Sequence, residues 1–159
     1  MSAAAGNTAG TQTDAAVGRR AAMATLADAR TEEIAARLAA LGPPSHVELR
    51  PVETGLVMLQ GRIGGDGAPF NFGEATVTRA AVRIASGEVG FSCVLGRDRD
   101  KARLAALCDA LWQNEASRAA VERCVLAPIR ERLERERGKR RAETAASRVD
   151  FFTLVRGED

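Results

Sequence analysis

Histidine occurs once in this 159-residue chain, at His46, and cysteine only three times, at Cys93, Cys108 and Cys124. A lone imidazole has no companion ligands for a metal, and any Cys–His or Ser–His nucleophilic chemistry would have to pass through that one side chain. The cysteines are odd in number, isolated and in no C-x-x-C spacing, which argues against a zinc site or a disulfide framework. Each is expected on an apolar face as a small hydrophobe, not as a nucleophile. Long hydrophobic runs are missing as well, so no segment reaches membrane-spanning length. The opening MSAAAGNTAGTQTDAAVG has no apolar h-region, which excludes a secretory signal, although its Ala, Ser and Thr content leaves a transit peptide open. It is small, polar and aperiodic, and is expected to be a disordered leader over residues 1–18. The expected location is the cytoplasm.

What is present is enough for one domain with a real core, expected over residues 19–146. The pattern reads as helices, then strands, then helices, an α+β fold. Residues 19–29 are Ala-rich and helix-favouring. Thr31, followed by Glu32 and Glu33, reads as the N-cap of a second helix carrying Ile34, Leu38 and Leu41, and Gly42-Pro43-Pro44 stops it. The period then changes to two. VELRPV (47–52), LVMLQGRI (56–63), ATVTRAAVRI (75–84) and EVGFSCVLG (88–96) read as a four-stranded antiparallel meander, with helices on one face and Gly55, the Gly-rich loop and Ser86-Gly87 at the turns. In the third strand Thr78, Ala80, Val82 and Ile84 share the core face and Arg79, Ala81 and Arg83 the other; in the fourth, Val89, Phe91, Cys93 and Leu95 are expected in the core.

Asp98 then reads as the N-cap of a helix whose stripe of Leu104, Leu107, Cys108, Leu111 and Trp112 should lie on the sheet. A further helix begins near Val121, Cys124 and Val125 and is broken or restarted near Pro128. RERLERERGKRR (130–141) mixes charges as a solvated helix does.

Few stretches carry chemistry. GRIGGDG (61–67) follows a strand, but no Lys-Ser/Thr follows and no helix opens after it, so a hairpin loop is favoured over a phosphate cradle. Arg79 and Arg83 stand about 13 Å apart along one strand. They could grip phosphates or a partner's carboxylates, or simply be surface charges on a solvated face. With Glu53, Arg62, Thr78 and Arg97 they form the set of phosphate- or partner-contact candidates. No catalytic residue and no metal site is expected on this chain. The C-terminal SRVDFFTLVRGED (147–159) is unusual in being apolar on both faces if extended. Arg148, Val149, Asp150, Phe151, Phe152, Leu154, Val155 and Arg156 are therefore expected as a partner-docking tail.

Three strings, ETGLVMLQGRIGGDGAPFNFGEATVTRAAVR, GEVGFSCVLGRDRDKA and SRVDFFTLVRG, resemble the PhnG family, the G subunit of the bacterial carbon–phosphorus lyase core complex of phosphonate metabolism. The likeness runs through most of residues 49–103 and returns at the end of the chain; Cys93 departs from a position that can be a bulky aromatic. The resemblance implies a cytoplasmic assembly with H, I and J subunits and an ATP-binding-cassette-type protein. That assembly converts ATP and a phosphonate such as methylphosphonate into the ribose 1-phosphonate 5-triphosphate, a phosphonate oxygen displacing adenine at C1 of the ribose. The resemblance also implies that the chemistry belongs to other subunits, so that this chain is an assisting subunit of a transferase with no cofactor of its own.

Two rivals remain. A nucleic-acid-binding module could use the basic C-terminal helix, but its interleaved glutamates and the net charge of +2 count against it. A stand-alone enzyme would use Glu53, Asp98 or Asp150 as a base.

Overall fold

The change of period at Gly42 is a real seam. Gly42 adopts φ +64°, the left-handed region in which a β-carbon is strained, and its N–H bonds the Ala39 carbonyl. The computed structural model describes residues 8–42 and 44–147. Before the seam lie α1 (Thr8–Asp28) and α2 (Thr31–Leu41). After it come β1 (His46–Arg62), β2 (Pro69–Ile84), β3 (Val89–Leu95), α3 (Arg99–Gln113), α4 (Glu115–Val121), a π-helical turn (Glu122–Leu126) and α5 (Ala127–Ala146). The class is α+β, with an antiparallel sheet ordered β1-β2-β3.

The sheet has three strands, not the expected four. VELRPV and LVMLQGRI belong to one long edge strand, and Gly55 lies inside the ladder opposite Val77 instead of at a turn. The reading took Gly55 for a turn; Pro51, a few residues earlier, cannot donate to a ladder. Here it sits where the pairing of β1 with β2 slips between Glu48 and Glu53, and an edge strand tolerates such an irregularity.

The first helix also departs from expectation. Of the expected leader, residues 1–7 lie outside the described residues, while α1 already begins at Thr8 and not near Arg19. Its middle is fixed by tertiary contacts: a β-carbon at Gly18 would stand 3.2 Å from the Trp112 ring. The Arg19 guanidinium donates to both carboxylate oxygens of Asp109 at 2.8 and 2.7 Å. Thr31 is the first residue of α2 and not its cap; its hydroxyl reaches across to Asp98. Asp98 does cap α3, accepting the Lys101 N–H at 2.8 Å.

Helix α3 is the centre of the molecule. It packs on β2 and β3 and also touches α1, α2 and α4, which is why it is buried on nearly every side and rich in Ala. Thr78, Ala80, Val82 and Ile84 of β2 face it, as their alternation requires, and Arg79 and Arg83 point to the opposite, outer face. For β3 the expectation is inverted. Gly90, Ser92 and Val94 face α3, whereas Phe91, Cys93 and Leu95 are exposed on the outer face. A β-carbon at Gly90 would stand 1.9 Å from the Ala106 carbonyl oxygen, and Ser92 donates to the Ala102 carbonyl at 2.6 Å. Close approach of helix and strand backbones therefore selects the small residues for the inner face and turns the large apolar ones away.

Asp109, buried, ties three elements together. Besides Arg19 of α1 it accepts the Phe91 N–H of β3 at 2.8 Å, satisfying a donor on an edge strand. Its hydrogen bonds raise the Arg19 pKa further, against the opposing effect of burial. The break expected near Pro128 takes the form of the π turn just before α5. Proline has no N–H to return to the Cys124 carbonyl, and that carbonyl accepts from Arg37 instead, at 3.5 Å.

Candidate interaction surface

Strand β3 pairs with β2 only over Val77 to Arg83, so the rest of the β1–β2 hairpin runs on as a two-stranded arm of residues 56–62 and 69–76. Residues directly opposite share a face. Thr54 and Thr78 lie opposite each other and their hydroxyls are 3.1 Å apart on the inner side, which puts Leu56 and Met58, two and four residues on, on that same inner face. Leu56 is 60% exposed and Met58 53%. The pairing slips between Leu59 and Gln60, leaving Phe72 without a partner and 73% exposed; Leu59, Ile63 and Phe70 are exposed too. An apolar two-stranded ribbon is marginal by itself, and a concentration of large apolar side chains in solvent marks an interaction surface. Sequence reasoning missed it by treating one face of LVMLQGRI as core. The missed signal is that Leu56, Val57, Met58 and Leu59 are apolar on both faces of the strand.

The candidate residues fall into two groups. Glu53, Arg79 and Arg83 lie on the outer face; Glu53 receives Arg79 at 3.5 Å and Arg50 at 3.4 Å. Beside them a groove of about 450 Å³ follows β3, with Phe91, Cys93, Met23 and Ala27 in its wall and Arg50 and Arg79 at its rim. Arg83 is exposed and makes no ion pair among the described residues. Thr78 is separated from this group: it is fully buried on the inner face and its hydroxyl donates to the Gly96 carbonyl at 2.7 Å. Arg62 is at the hairpin tip, donating to the Gly67 carbonyl at 3.0 Å, and Arg97 is exposed in the loop before α3. The structure does not bring these side chains into one site. The tail residues from Arg148 to Arg156 lie outside the described residues.

Among the described residues, the groups weighed for catalysis have structural roles or lie apart. The Asp98 carboxylate is held below the usual range by the Thr31 hydroxyl and then by the Lys101 N–H, so it caps a helix and is a poor base. Burial pushes the Cys108 thiol up to about 12, with the Asp109 charge adding to the effect. His46 is exposed at the start of β1. No helix among the described residues is long and apolar enough to cross a membrane.

The basic helix is largely neutralised along its first half. Arg130 pairs with Glu122 at 2.7 Å, Arg132 with Glu33 and Glu136 at 2.9 Å each, and Arg137 with Asp28 at 3.1 Å. Those pairs weigh against a continuous basic face for nucleic acid. Beyond Arg137, residues 138–147 are exposed all round and project from the domain.

Comparison with known proteins adds two findings. The family model for phosphonate metabolism protein PhnG matches residues 17–157. A protein of Rhizobium meliloti (strain 1021), alpha-D-ribose 1-methylphosphonate 5-triphosphate synthase subunit PhnG, is 50% identical over 151 residues, covering 94% of this chain and 96% of that one.

Proposed function

Since the chain belongs to the PhnG family, we propose that it is a subunit of alpha-D-ribose 1-methylphosphonate 5-triphosphate synthase in phosphonate catabolism, and that it assists the reaction without catalysing it. In that reaction an oxygen of methylphosphonate bonds to C1 of the ribose of ATP, the bond from C1 to adenine breaks, and adenine leaves with a proton. The observation that carries the reading is identity at half of all positions along nearly the whole of both chains, which leaves little room for a different role. The partners are the H, I and J subunits and an ATP-binding-cassette-type protein, and the compartment is the cytoplasm. ATP and the phosphonate are substrates of the whole assembly, with no cofactor bound by this chain.

The surface supports an assisting role. The apolar arm, the outer face with Glu53, Arg79 and Arg83, and the tail from Arg148 to Arg156 are contact regions, and Arg62 at the hairpin tip and Arg97 before α3 are further partner or phosphate contacts. The test is reconstitution: companion subunits are mixed with ATP and methylphosphonate, with and without this chain, and released adenine is measured. Adenine release that requires this chain supports the reading, and equal release without it overturns it. Measurable turnover by the chain alone would instead favour the stand-alone enzyme.

A further inference from the structure

The inner face of the sheet loses its helical cover partway along β1. Val52 and Thr54 lie under the helix layer, and the same row continues as Leu56 and Met58, which no described helix covers. The place is next to the start of α3, since the Gly96 N–H bonds the Thr76 carbonyl at 2.9 Å just before that helix begins. The second overhang leaves from the same end. Lys101 at the start of α3 donates to Ala27 at the end of α1, and Arg137 of α5 meets Asp28 one residue on. Residues 138–147 of α5 then extend roughly 15 Å farther. From Arg137 to Ser147 the chain carries four cations, Arg137, Lys139, Arg140 and Arg141, against one acid, Glu143. Arg140 and Arg141 make no ion pair among the described residues.

We infer that the bare inner strip of the arm seats an amphipathic helix of a companion subunit, its apolar stripe on Leu56 and Met58 and its acidic flank toward Arg140 and Arg141. A helix is the element this surface is built for, because the covered part of the same row carries one. The acid flank follows from the cationic overhang that leaves from the same end of the domain. An apolar ribbon of two strands gains most of its order from such a cover. The inference rests on the companion-subunit reading above.

The experiment uses the full chain co-expressed with the companion subunits of the synthase. Leu56→Ser with Met58→Ser should leave the melting temperature of the chain alone unchanged, since both side chains are more than half exposed, while weakening assembly at least about tenfold. Arg140→Glu with Arg141→Glu should weaken assembly and reduce its dependence on salt. A photo-crosslinking residue at position 58 should mark partner residues spaced three and four apart. Wild-type assembly with both double variants assembling equally well overturns the inference and leaves the companion role standing. Failure of the wild-type chain to assemble overturns both. Crosslinks spaced two apart assign a strand, and a wild-type dimer dispersed by the arm substitutions assigns a second copy; either overturns the inference. If the arm variant does not fold, the α5 variant and the crosslinks decide.

Discussion

One hairpin holds two environments. At its base, the inner face of β2 is sealed by α3: Val82 is fully buried and Ile84 nearly so. In the arm, the same two strands keep the same alternation as far as the slip after Leu59, yet Leu56 and Met58 stand in solvent, as does Phe72 at the slip. Both halves carry large apolar side chains, although Thr76 and Glu74 stand opposite Leu56 and Met58 in the arm, so apolar content alone does not separate the halves. What separates them is whether a helix lies overhead. The base stabilises the domain, and the arm has apolar surface left for association.

The sharpest way to break this comparison is to block the helix from the base. Gly90→Val places a β-carbon inside the backbone of α3, which cannot rotate aside, and should cost above about 4 kcal/mol in denaturant unfolding. Gly73→Val in the arm meets nothing within 4 Å and should stay within about 0.5 kcal/mol. Equal stability of the two variants would show that α3 does not seat on Gly90.

A smaller contrast comes from deleting side chains. Ile84→Ala at the base should cost about 3 kcal/mol, by lost transfer energy and a residual cavity. Met58→Ala in the arm should cost under about 0.5 kcal/mol in the isolated chain, where there is no cavity to leave. A large loss at Met58 in the isolated chain would mean that the arm packs on its own domain.

The mildest test is pH, and it reads the helix layer. Burial opposes ionisation of Glu122, but hydrogen bonds from Arg130 and from the Trp112 indole together outweigh it and hold its carboxyl below the usual range. A depressed folded pKa means stability that is present above the ordinary glutamate value and is lost as pH falls through the folded one. Glu122→Gln should therefore lower stability at neutral pH and flatten the acid limb of the stability curve. An acid limb of unchanged steepness would show that Glu122 makes no such contribution.

Much was legible locally. The β2 faces followed from alternation, the seam from Gly42, the α3 cap from Asp98, and the family from three strings of residues whose relatives run the length of the chain. The candidate surface was legible only in part: Arg79 and Arg83 do point outward, but Thr78 was drawn into the set by proximity along the strand when its pleat faces the core.

Sequence alone determined most of the elements and of their faces, and the family, because periodicity, capping and turn chemistry act over a few residues. Tertiary structure alone decided the rest. In β3 the two alternating sets, Phe91, Cys93 and Leu95 against Gly90, Ser92 and Val94, favour the first for burial on hydrophobicity. The core took the second, because the short distance to α3 admits only small side chains at positions 90 and 92. Likewise the apolar row of β1 does not record where its cover ends. That boundary is set by where α3 begins, some forty residues later in the chain, and burial depends on what lies across the gap as much as on the residue itself.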